Sequence, residues 1–289
     1  MNTIHTIVTH PGGAHKDDFL ACSILLAQFG AKVERRNPSE ADRSDPAVAL
    51  VDVGEEHDEG RSLFDHHQFP RDHPPICALS LVLQAQGLYE DAKLFCEWLE
   101  AAEWLDSRGP EESARWMGIE RDVLGVLSSP IDISLLRWFA RESVLEPGHP
   151  LWEVMKVIGD DLVSYVRSLR DRMAQLEHRV VFWTLDWRDH PNQVIFLPRE
   201  SEPESEPAMG LERFVLQKGL QDDVIGMVYP DRRGSGYGLS RYRDRPVFDF
   251  TRLKQEGDVH FAHARGFVAK TSAREVPRLR ELLELAASA

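Results

Sequence analysis

Histidines and carboxylates crowd one short stretch near the start of the sequence, THPGGAHKDD at residues 9–18. Within it, His10, His15, Asp17 and Asp18 surround a Gly-Gly pair that follows an apolar run. Imidazole nitrogens and carboxylate oxygens bind divalent cations, so these residue types indicate metal chemistry. Alone the spacing is a weak indication, because a lone histidine is more often an ordinary polar or exposed residue.

The same donor types recur after two later apolar runs. AVALVDVG contains Asp52, and SLFDHH ends in Asp65, His66 and His67. A set of histidines and carboxylates without thiolates favours Mn²⁺, Zn²⁺, Fe²⁺ or Mg²⁺, and several carboxylates allow one of them to bridge two ions. The sequence therefore predicts a metal centre with mixed nitrogen and oxygen ligands.

Short strands and one helix must position these residues. TIHTIVTH, AVALVDVG and SLFDHH are typical of strands, while DDFLACSILLAQFG has apolar residues at helical spacing and a stop at Gly30. In parallel α/β sheets, ligands gather at the carboxyl ends of strands, where the polar residues would lie. We predict helices over residues 76–87, 91–105 and 133–145 that cover the sheet.

The chain of 289 residues is long enough for two domains. We predict a metal-binding catalytic domain over residues 1–148, a connecting helix over 149–178 and a substrate-binding domain over 179–289. Apolar residues keep helical spacing through the middle segment, and strand-like runs follow it. The predicted fold class is α/β, with a parallel-sheet N-terminal domain, a long helix and a smaller C-terminal α/β domain.

Composition limits the partners and the compartment. The 34 Lys and Arg residues stand against 48 Asp and Glu residues, a formal net charge of -14 that argues against a broad basic face for duplex nucleic acid. Cys22, Cys77 and Cys96 are scattered and odd in number, so neither a disulfide framework nor a thiolate zinc site is indicated. With no signal-like start and no apolar run of bilayer-spanning length, we expect a soluble cytoplasmic protein without membrane association.

In this order and at these spacings, HPGGAHKDD, VDVG and FDHHQ resemble the motifs of the Myg (melanocyte-proliferating-gene) family. That family is related to the DHH phosphoesterases, which include RecJ-type exonucleases, oligoribonuclease/pAp-phosphatases and family II inorganic pyrophosphatases. ALSLVLQAQGL and FAHARGFVAKT extend the similarity over nearly the whole chain. The resemblance implies a DHH-like N-terminal domain and 3′-to-5′ exonuclease activity on RNA.

The resemblance also implies roles for individual residues of the first domain. The implied metal ligands are His10, His15, Asp17, Asp52, His66 and Asp106. In the superfamily the position of Asp52 bridges two metal ions, so this residue is expected to be catalytic as well as a ligand. His67 would face the substrate phosphate as a second catalytic residue. Asp18 and Asp65 are expected to orient the ligand histidines.

The second domain supplies the substrate-binding face in the superfamily. Its best candidates are His263, Arg265 and Gly266, because glycine lets the backbone approach a phosphate and arginine can bind it through two hydrogen bonds. The alternative is a turn with a solvent-facing arginine. The arginine- and tyrosine-bearing segment at 230–246 is compatible with single-strand binding or with a solvated hairpin.

One departure from the family pattern concerns the metal centre. Glu103 stands where the family carries an aspartate three residues before Asp106, and we expect its longer side chain to be able to reach the site.

These expectations lead to a predicted function. Two divalent ions about 3.5–4 Å apart can clamp a phosphoryl group and activate water. The leading hypothesis is a phosphodiesterase that uses two ions, preferably Mn²⁺, as a 3′-to-5′ exonuclease on single-stranded RNA or short oligonucleotides. Mg²⁺, Zn²⁺ and Fe²⁺ are alternatives, and the sequence is compatible with a homo-oligomer.

Two other functions stay open. One is hydrolysis of a small phosphate compound, such as a nucleoside bisphosphate, a dinucleotide or pyrophosphate. The other is a metal-binding protein without catalytic turnover.

Overall fold

A computed structural model describes residues 3–126, 128–187, 190–201 and 206–287 of the chain. The chain divides into two compact units, Met1–Ser168 and Leu169–Ala289. Each unit contains a six-stranded mixed sheet with helices around it, which confirms the predicted α/β class. The predicted domain limits at residues 148 and 178 stay a prediction; the division into units falls at residue 168, inside a long helix.

The sheet of the first unit has a parallel centre. Its strands are β1 (Thr6–Thr9), β2 (Lys32–Arg35), β3 (Val48–Val51), β4 (His57–Asp58), β5 (Leu63–Phe64) and β6 (Val144–Leu145). They lie in the order β4-β5-β3-β1-β2-β6, and the four central strands are parallel. Both edge pairs, β4 with β5 and β2 with β6, are antiparallel. The predicted parallel sheet is therefore correct for its centre, and the sheet as a whole is mixed.

Helices surround this sheet. They are α1 (Lys16–Phe29), α2 (Glu40–Ser44), α3 (Ala78–Ala85), α4 (Tyr89–Phe95), α5 (Trp98–Met117), α6 (Arg121–Val126), α7 (Pro130–Arg141) and α8 (Pro150–Arg179). Gly30 ends α1 in the left-handed conformation, with φ 67°. The helix predicted over 91–105 is instead two helices, and the one predicted over 133–145 is wrong at its end, because Val144 and Leu145 pair with the edge of β2.

Helix α5 contains a break that matters for the site. Gly109 has φ 76° and ψ 171°, and Pro110 follows it, so the helical run that carries Asp106 ends shortly after that residue. Helix α8 contains another glycine, Gly159, where it crosses α1. A Cβ atom added at Gly159 would lie 2.1 Å from the carbonyl oxygen of Ser23. Only glycine permits this approach of the two helices.

The second unit is built on an antiparallel sheet with one parallel pair. Its strands are β7 (Val181–Trp187), β8 (His190–Phe196), β9 (Val224–Pro230), β10 (Tyr237–Arg241), β11 (Val259–Ala262) and β12 (Val268–Thr271). They lie in the order β11-β12-β10-β9-β8-β7, and β8 pairs with β9 in parallel. The helices α9 (Leu211–Gln217) and α10 (Val276–Ala286) belong to this unit. Leu279, Leu282 and Leu283 of α10 pack into its apolar core.

Three features bear on the remaining expectations. The strand-like run VHFAHARGF is not one strand, because Gly266 has φ 71° and the chain turns between β11 and β12. Among the described residues, no helix is long and apolar enough to cross a membrane. Cys22, Cys77 and Cys96 all lie in the described ranges, where they are buried and form no disulfide.

Candidate metal centre

Three of the six predicted ligands follow three neighbouring strands of the first sheet. His10 comes directly after β1, Asp52 directly after β3, and His66 two residues after β5. These strands are parallel and adjacent in the order β5-β3-β1, so their carboxyl ends lie at one edge of the sheet. The backbone N–H of Asp52 donates to the carbonyl of Phe64 at 3.0 Å, which joins two of the strand ends. The sheet topology thus brings together residues from three separate motifs.

The segment that follows the Gly-Gly turn between β1 and α1 carries two further predicted ligands, His15 and Asp17. Gly12 has φ 90°, a conformation that favours glycine, and α1 begins four residues later. Asp18 holds the start of that helix, because its Oδ1 accepts from the N–H of His15 at 2.9 Å and from the N–H of Phe19 at 2.7 Å. Asp17, its neighbour in the first turn, is therefore fixed with both oxygens buried.

All six predicted metal ligands lie together with Asp52 at their centre. Three groups of potential ligands, each with donor atoms within 4.8 Å of one another, all contain Asp52. Asp52 Oδ1 lies 3.2 Å from His66 Nε2, and Asp52 Oδ2 lies 3.4 Å from His10 Nε2. Asp106 joins from α5, with Oδ2 2.8 Å from His66 Nε2 and Oδ1 3.5 Å from His15 Nδ1. Their roles as ligands stay a prediction.

Several of these donor atoms are buried and make no well-aligned hydrogen bond within the described residues, although the histidine nitrogens and some of the carboxylate oxygens approach one another to 2.8–3.4 Å as ion pairs. They are both carboxylate oxygens of Asp17, Oδ1 of Asp52, Oδ2 of Asp106, and the Nε2 atoms of His10 and His66. An unpartnered carboxylate in the interior is costly, and a cation is the partner that would satisfy all of these atoms at once. The residues therefore fit a divalent metal site, and the donor set does not identify the ion.

Crowded negative charge dominates the electrostatics of the cluster. Burial, together with the charges of Asp52 and Asp106, raises the pKa of Asp17 well above its usual range. Burial also raises the pKa of Asp52. For His66, burial lowers the pKa, but the carboxylates of Asp106 and Asp52 outweigh that effect and raise it to about 10. The carboxylates thus compete for protons, which bound cations would displace.

Asp18 and Asp65 lie behind the cluster. Asp18 Oδ2 is 3.2 Å from Nε2 of His10. Asp65 Oδ1 lies 2.6 Å from Nδ1 of His67 and accepts from its N–H at 3.0 Å, so Asp65 orients His67. These hydrogen bonds overcome the effect of burial and lower the pKa of Asp65. His67 is 57% exposed, and its Nδ1 is 3.7 Å from Asp52 Oδ1.

Arg35 belongs to the site but was not among the predicted residues. It ends β2, is buried, and its Nη2 donates to the carbonyls of His10 at 3.0 Å and Gly13 at 2.9 Å. The same Nη2 lies 3.6 Å from Asp18 Oδ2, and the guanidinium carbon is 4.3 Å from the ring centre of Phe139. In the sequence, Arg35 and Arg36 form a charged pair of the kind that usually lies on a protein surface, so Arg35 does not stand out as a site residue. Recognising β2 as a strand beside β1 would have placed Arg35 at the site.

Glu103, which was expected to be able to reach the metal centre, belongs to a separate network. It is 2% exposed, and its Oε1 accepts from Ser80 Oγ at 2.6 Å and from the hydroxyl of Tyr89 at 2.7 Å. Two hydroxyl donors, from α3 and α4, hold this carboxylate, and Glu103 is not a member of the groups of potential ligands found among the described residues.

The residues proposed for substrate binding form a tight turn in the second unit. The N–H of Gly266 donates to the carbonyl of His263 at 2.8 Å, and the N–H of Arg265 donates to His263 Nδ1 at 3.1 Å. A Cβ atom at Gly266 would lie 2.3 Å from Asp249 Oδ1, so the turn itself requires this glycine. The Arg265 side chain is exposed. Substrate binding by His263, Arg265 and Gly266 stays a prediction.

The arginine- and tyrosine-bearing segment has little free aromatic surface. Tyr237 and Tyr242 are buried, so neither ring can stack on a base. Arg241 donates from Nε to the carbonyl of Phe248 at 2.6 Å, and Arg245 donates from Nη1 to the carbonyl of Asp222 at 2.8 Å. These contacts favour a structural role for much of the segment over single-strand binding.

Comparison with known proteins concerns the predicted metal ligands of the first unit rather than the candidate substrate-binding residues of the second. Residues 6–73 match the family model MYG1_exonuc, described as Uncharacterised protein family (UPF0160). The Myg resemblance is confirmed over these residues. The Myg-type segment runs from β1 past β5 and includes all the predicted ligands except Asp106, which lies outside the match together with the turn at Gly266.

Other comparisons are less informative. No curated protein matches the chain. Among solved structures, the pGpG-specific phosphodiesterase PggH from Vibrio cholerae matches with 11% sequence identity over 98% of this chain and 99% of its own, with a TM-score of 0.32. A similarity of this size supports no argument about function.

Proposed function

We propose that this protein is a metal-dependent phosphodiesterase that uses two divalent ions, preferably Mn²⁺, as a 3′-to-5′ exonuclease on RNA or short oligonucleotides. The observation that carries the proposal is the set of buried, unpartnered histidine and carboxylate atoms around Asp52. The match to a family model named for an exonuclease supports the same class of reaction.

The arrangement of Asp52 is suited to two ions. Its oxygens face different histidines, with Oδ1 toward His66 at 3.2 Å and Oδ2 toward His10 at 3.4 Å. A carboxylate placed in this way can contribute one oxygen to each of two ligand groups. When bound, a pair of divalent ions supplies Lewis acidity to the phosphate and lowers the pKa of water that attacks it.

His67 is the residue best placed to contact the phosphate. Asp65 accepts a hydrogen bond from Nδ1 of His67 and so fixes the imidazole ring. More than half of the His67 side chain remains exposed. The hydrogen bond with Asp65 raises the pKa of His67, which favours the cationic form of the imidazole. Its Nε2 is then a charged donor for a phosphate oxygen.

The test is hydrolysis of a 5′-labelled short RNA by the purified protein with Mn²⁺. A 3′-to-5′ exonuclease yields a ladder of shortened labelled products, whereas attack from the other end releases the labelled nucleotide first. Asp52→Asn should lose Mn²⁺ binding and RNA shortening. Asp122→Asn, an exposed carboxylate on α6, is the matched control and should keep both.

Unchanged RNA under conditions where Mn²⁺ is bound would contradict the exonuclease proposal. Phosphate release from nucleoside bisphosphates or pyrophosphate in a parallel assay would then favour a small-molecule phosphohydrolase. Absence of turnover on every phosphate ester, with Mn²⁺ still bound, would favour a metal-binding protein without catalysis.

A further inference from the structure

A cavity of about 270 Å³ adjoins the candidate metal centre in the first unit. His66, His67 and Asp106 form part of its wall, so it opens directly onto the predicted ligands. The rest of the wall includes Arg71, from the loop after FDHHQ, and Arg108, from α5. The cavity therefore joins an anionic metal centre to two cationic side chains.

Arg108 is held in place with part of its guanidinium unused. Its Nη2 donates to the carbonyl of His73, while Nε and Nη1 make no hydrogen bond with any described residue. Arg108 also forms no ion pair with Asp106, two residues earlier, although both side chains line the cavity. The break of α5 at Gly109 ends the helix directly after Arg108. Arg108 therefore lines the cavity with N–H donors that no described residue occupies.

Arg71 adds a second cation at the rim. Its side chain is 92% exposed and approaches the carboxylate of Glu112 to 3.6 Å, a contact that is weak in solvent. The ring of His73 stacks on Phe69 with centroids 4.5 Å apart, and its Nδ1 lies 2.7 Å from the carbonyl of Pro74. These two contacts of His73 hold in place the loop that carries Arg71.

A second cavity beside the same ligands has a different lining. It has a volume of about 430 Å³ and is lined by His15, Asp17 and Asp106, with apolar walls from Ala102, Leu105 and Leu136 among others. The cation in the lining of the second cavity is Lys16, whose Nζ is paired with Asp132 Oδ2 at 2.8 Å, whereas the first cavity is lined by two arginines. The two sides of the metal centre thus differ in chemistry, because the first offers arginine N–H donors and the cation of the second is already paired with a carboxylate.

We propose that the cavity at Arg71 and Arg108 is a subsite for a second phosphate group of the substrate, next to the phosphate that is hydrolysed. The inference rests on the proposed phosphodiesterase function, which places the scissile phosphate at the metal centre. At about 30 Å³ for each water, the volume holds roughly nine waters, enough for a phosphate and its ester substituent. Arginine binds phosphate oxygens through two parallel N–H donors, and Arg108 has N–H donors left unused.

The experiment compares equilibrium binding of three dinucleotides to the Mn²⁺-loaded full chain. Each carries a non-hydrolysable methylene phosphonate linkage, and the extra phosphate is at the 5′ end, at the 3′ end or absent. Calorimetry at fixed ionic strength should give about tenfold or tighter binding when one end carries the extra phosphate, the effect of a charged hydrogen bond. The end that gives this preference identifies whether the second phosphate comes from the 5′ or the 3′ side.

Variants assign the preference to the cavity. Arg108→Met should reduce the preference to within about twofold, and the exposed Arg71→Met, which cannot unfold the loop by removing a buried group, should reduce it as well. Arg115→Met, an exposed arginine on α5 outside the cavity, should leave the preference unchanged. Thermal unfolding checks that Arg108→Met is folded.

The outcomes separate the two proposals. Equal affinity of the wild-type protein for all three dinucleotides, or a preference that survives both arginine variants, would overturn the subsite. Failure to bind Mn²⁺, or to cleave normal dinucleotides while the binding preference is present, would instead count against the proposed hydrolysis.

Discussion

At the scale of single residues, the metal centre is a set of closely packed donors that only partly satisfy one another. His66 and Asp106 approach to 2.8 Å, whereas both oxygens of Asp17 are buried without a hydrogen-bond partner in the part of the chain that the structure describes. Proteins tolerate such atoms where a ligand completes them. Other groups position these donors, chiefly Asp18, Asp65 and Arg35, which form their hydrogen bonds within the protein.

Arg35 provides a test of this positioning. It binds the carbonyls of His10 and Gly13, so Arg35→Met should loosen the turn that carries the first ligands. We expect Mn²⁺ affinity to fall about tenfold to a hundredfold, as for other outer contacts of metal ligands. Arg35→Lys should recover part of the affinity, because one donor and the charge remain.

The measurement for Arg35 is Mn²⁺ titration followed by electron paramagnetic resonance. Arg36→Met is the control, since Arg36 binds Glu34 and Asp42 at the surface and does not touch the turn. Unchanged Mn²⁺ affinity in folded Arg35→Met would show that the turn keeps its shape without the guanidinium.

At the scale of elements, the sequence predicts those strands and helices for which the local pattern and the tertiary structure agree. The carboxyl-end placement of His10, Asp52 and His66 could be predicted, because apolar strands followed by polar residues report the edge of a parallel sheet. The edge strand β6 and the break of α5 could not, because they depend on pairing with β2 and on the left-handed Gly109.

The site residues differ in the same way, since some could be predicted from a local motif and others depend on contacts between elements. Asp52 and His66 stand in recognisable motifs, whereas Arg35 acts only because β2 lies beside β1. Glu103 shows the converse, since hydroxyl groups from α3 and α4 decide where its carboxylate points. Contacts between elements distant in the sequence carry no signal in one chain read alone.

The crossing of α1 and α8 gives a prediction about packing. Gly159→Ala would place a Cβ 2.1 Å from the carbonyl oxygen of Ser23, so the helices must separate. We expect the free energy of unfolding to fall by about 1–3 kcal/mol, the usual cost of overpacking. Gly125→Ala, in α6 with open space around it, should be neutral or slightly stabilising.

Chemical denaturation of the two glycine variants measures this difference. Equal stability of Gly159→Ala and the wild-type protein would mean that α8 moves away from α1 without loss of packing.

In the second unit, Asp231 joins separate strands and gives a prediction about pH. Its buried carboxylate lies 2.7 Å from Lys270 Nζ of β12 and 3.6 Å from His260 Nε2 of β11. Burial raises the pKa of Asp231, but the hydrogen bonds from Lys270 and from the N–H of Arg233, together with the charges of Lys270 and His260, outweigh burial and lower the pKa. Its contribution to stability is therefore full above the unfolded pKa, about 3.9, and is lost as the pH falls through the lower folded value.

Asp231→Asn should lower the free energy of unfolding by about 1–3 kcal/mol at neutral pH, the range for a charged hydrogen bond. The difference from wild type should shrink as the pH falls below the unfolded pKa of about 3.9 and through the lower folded pKa, because the carboxyl then becomes protonated in both states. Denaturation at several pH values measures it, and Asp244→Asn, an exposed carboxylate, is the control. A difference that does not depend on pH would show that the charge of Asp231 is not the cause.

At the scale of the whole molecule, two units with separate sheets predict a localised response to metal. All the predicted ligands belong to the first unit, so Mn²⁺ binding should stabilise that unit by mass action, about 2.7 kcal/mol at a hundredfold excess over Kd. Hydrogen exchange followed by mass spectrometry, with and without Mn²⁺, should show slower exchange around residues 10–18 and 52–67. Peptides from β9 to β12 should be unchanged, and Asp17→Asn should remove the effect, since Asp17 belongs to one of the groups of potential ligands and its carboxylate is buried. Equal slowing in both units would mean that metal binding is coupled to the second sheet, and no slowing in either would mean that the histidine and carboxylate cluster does not hold the ion.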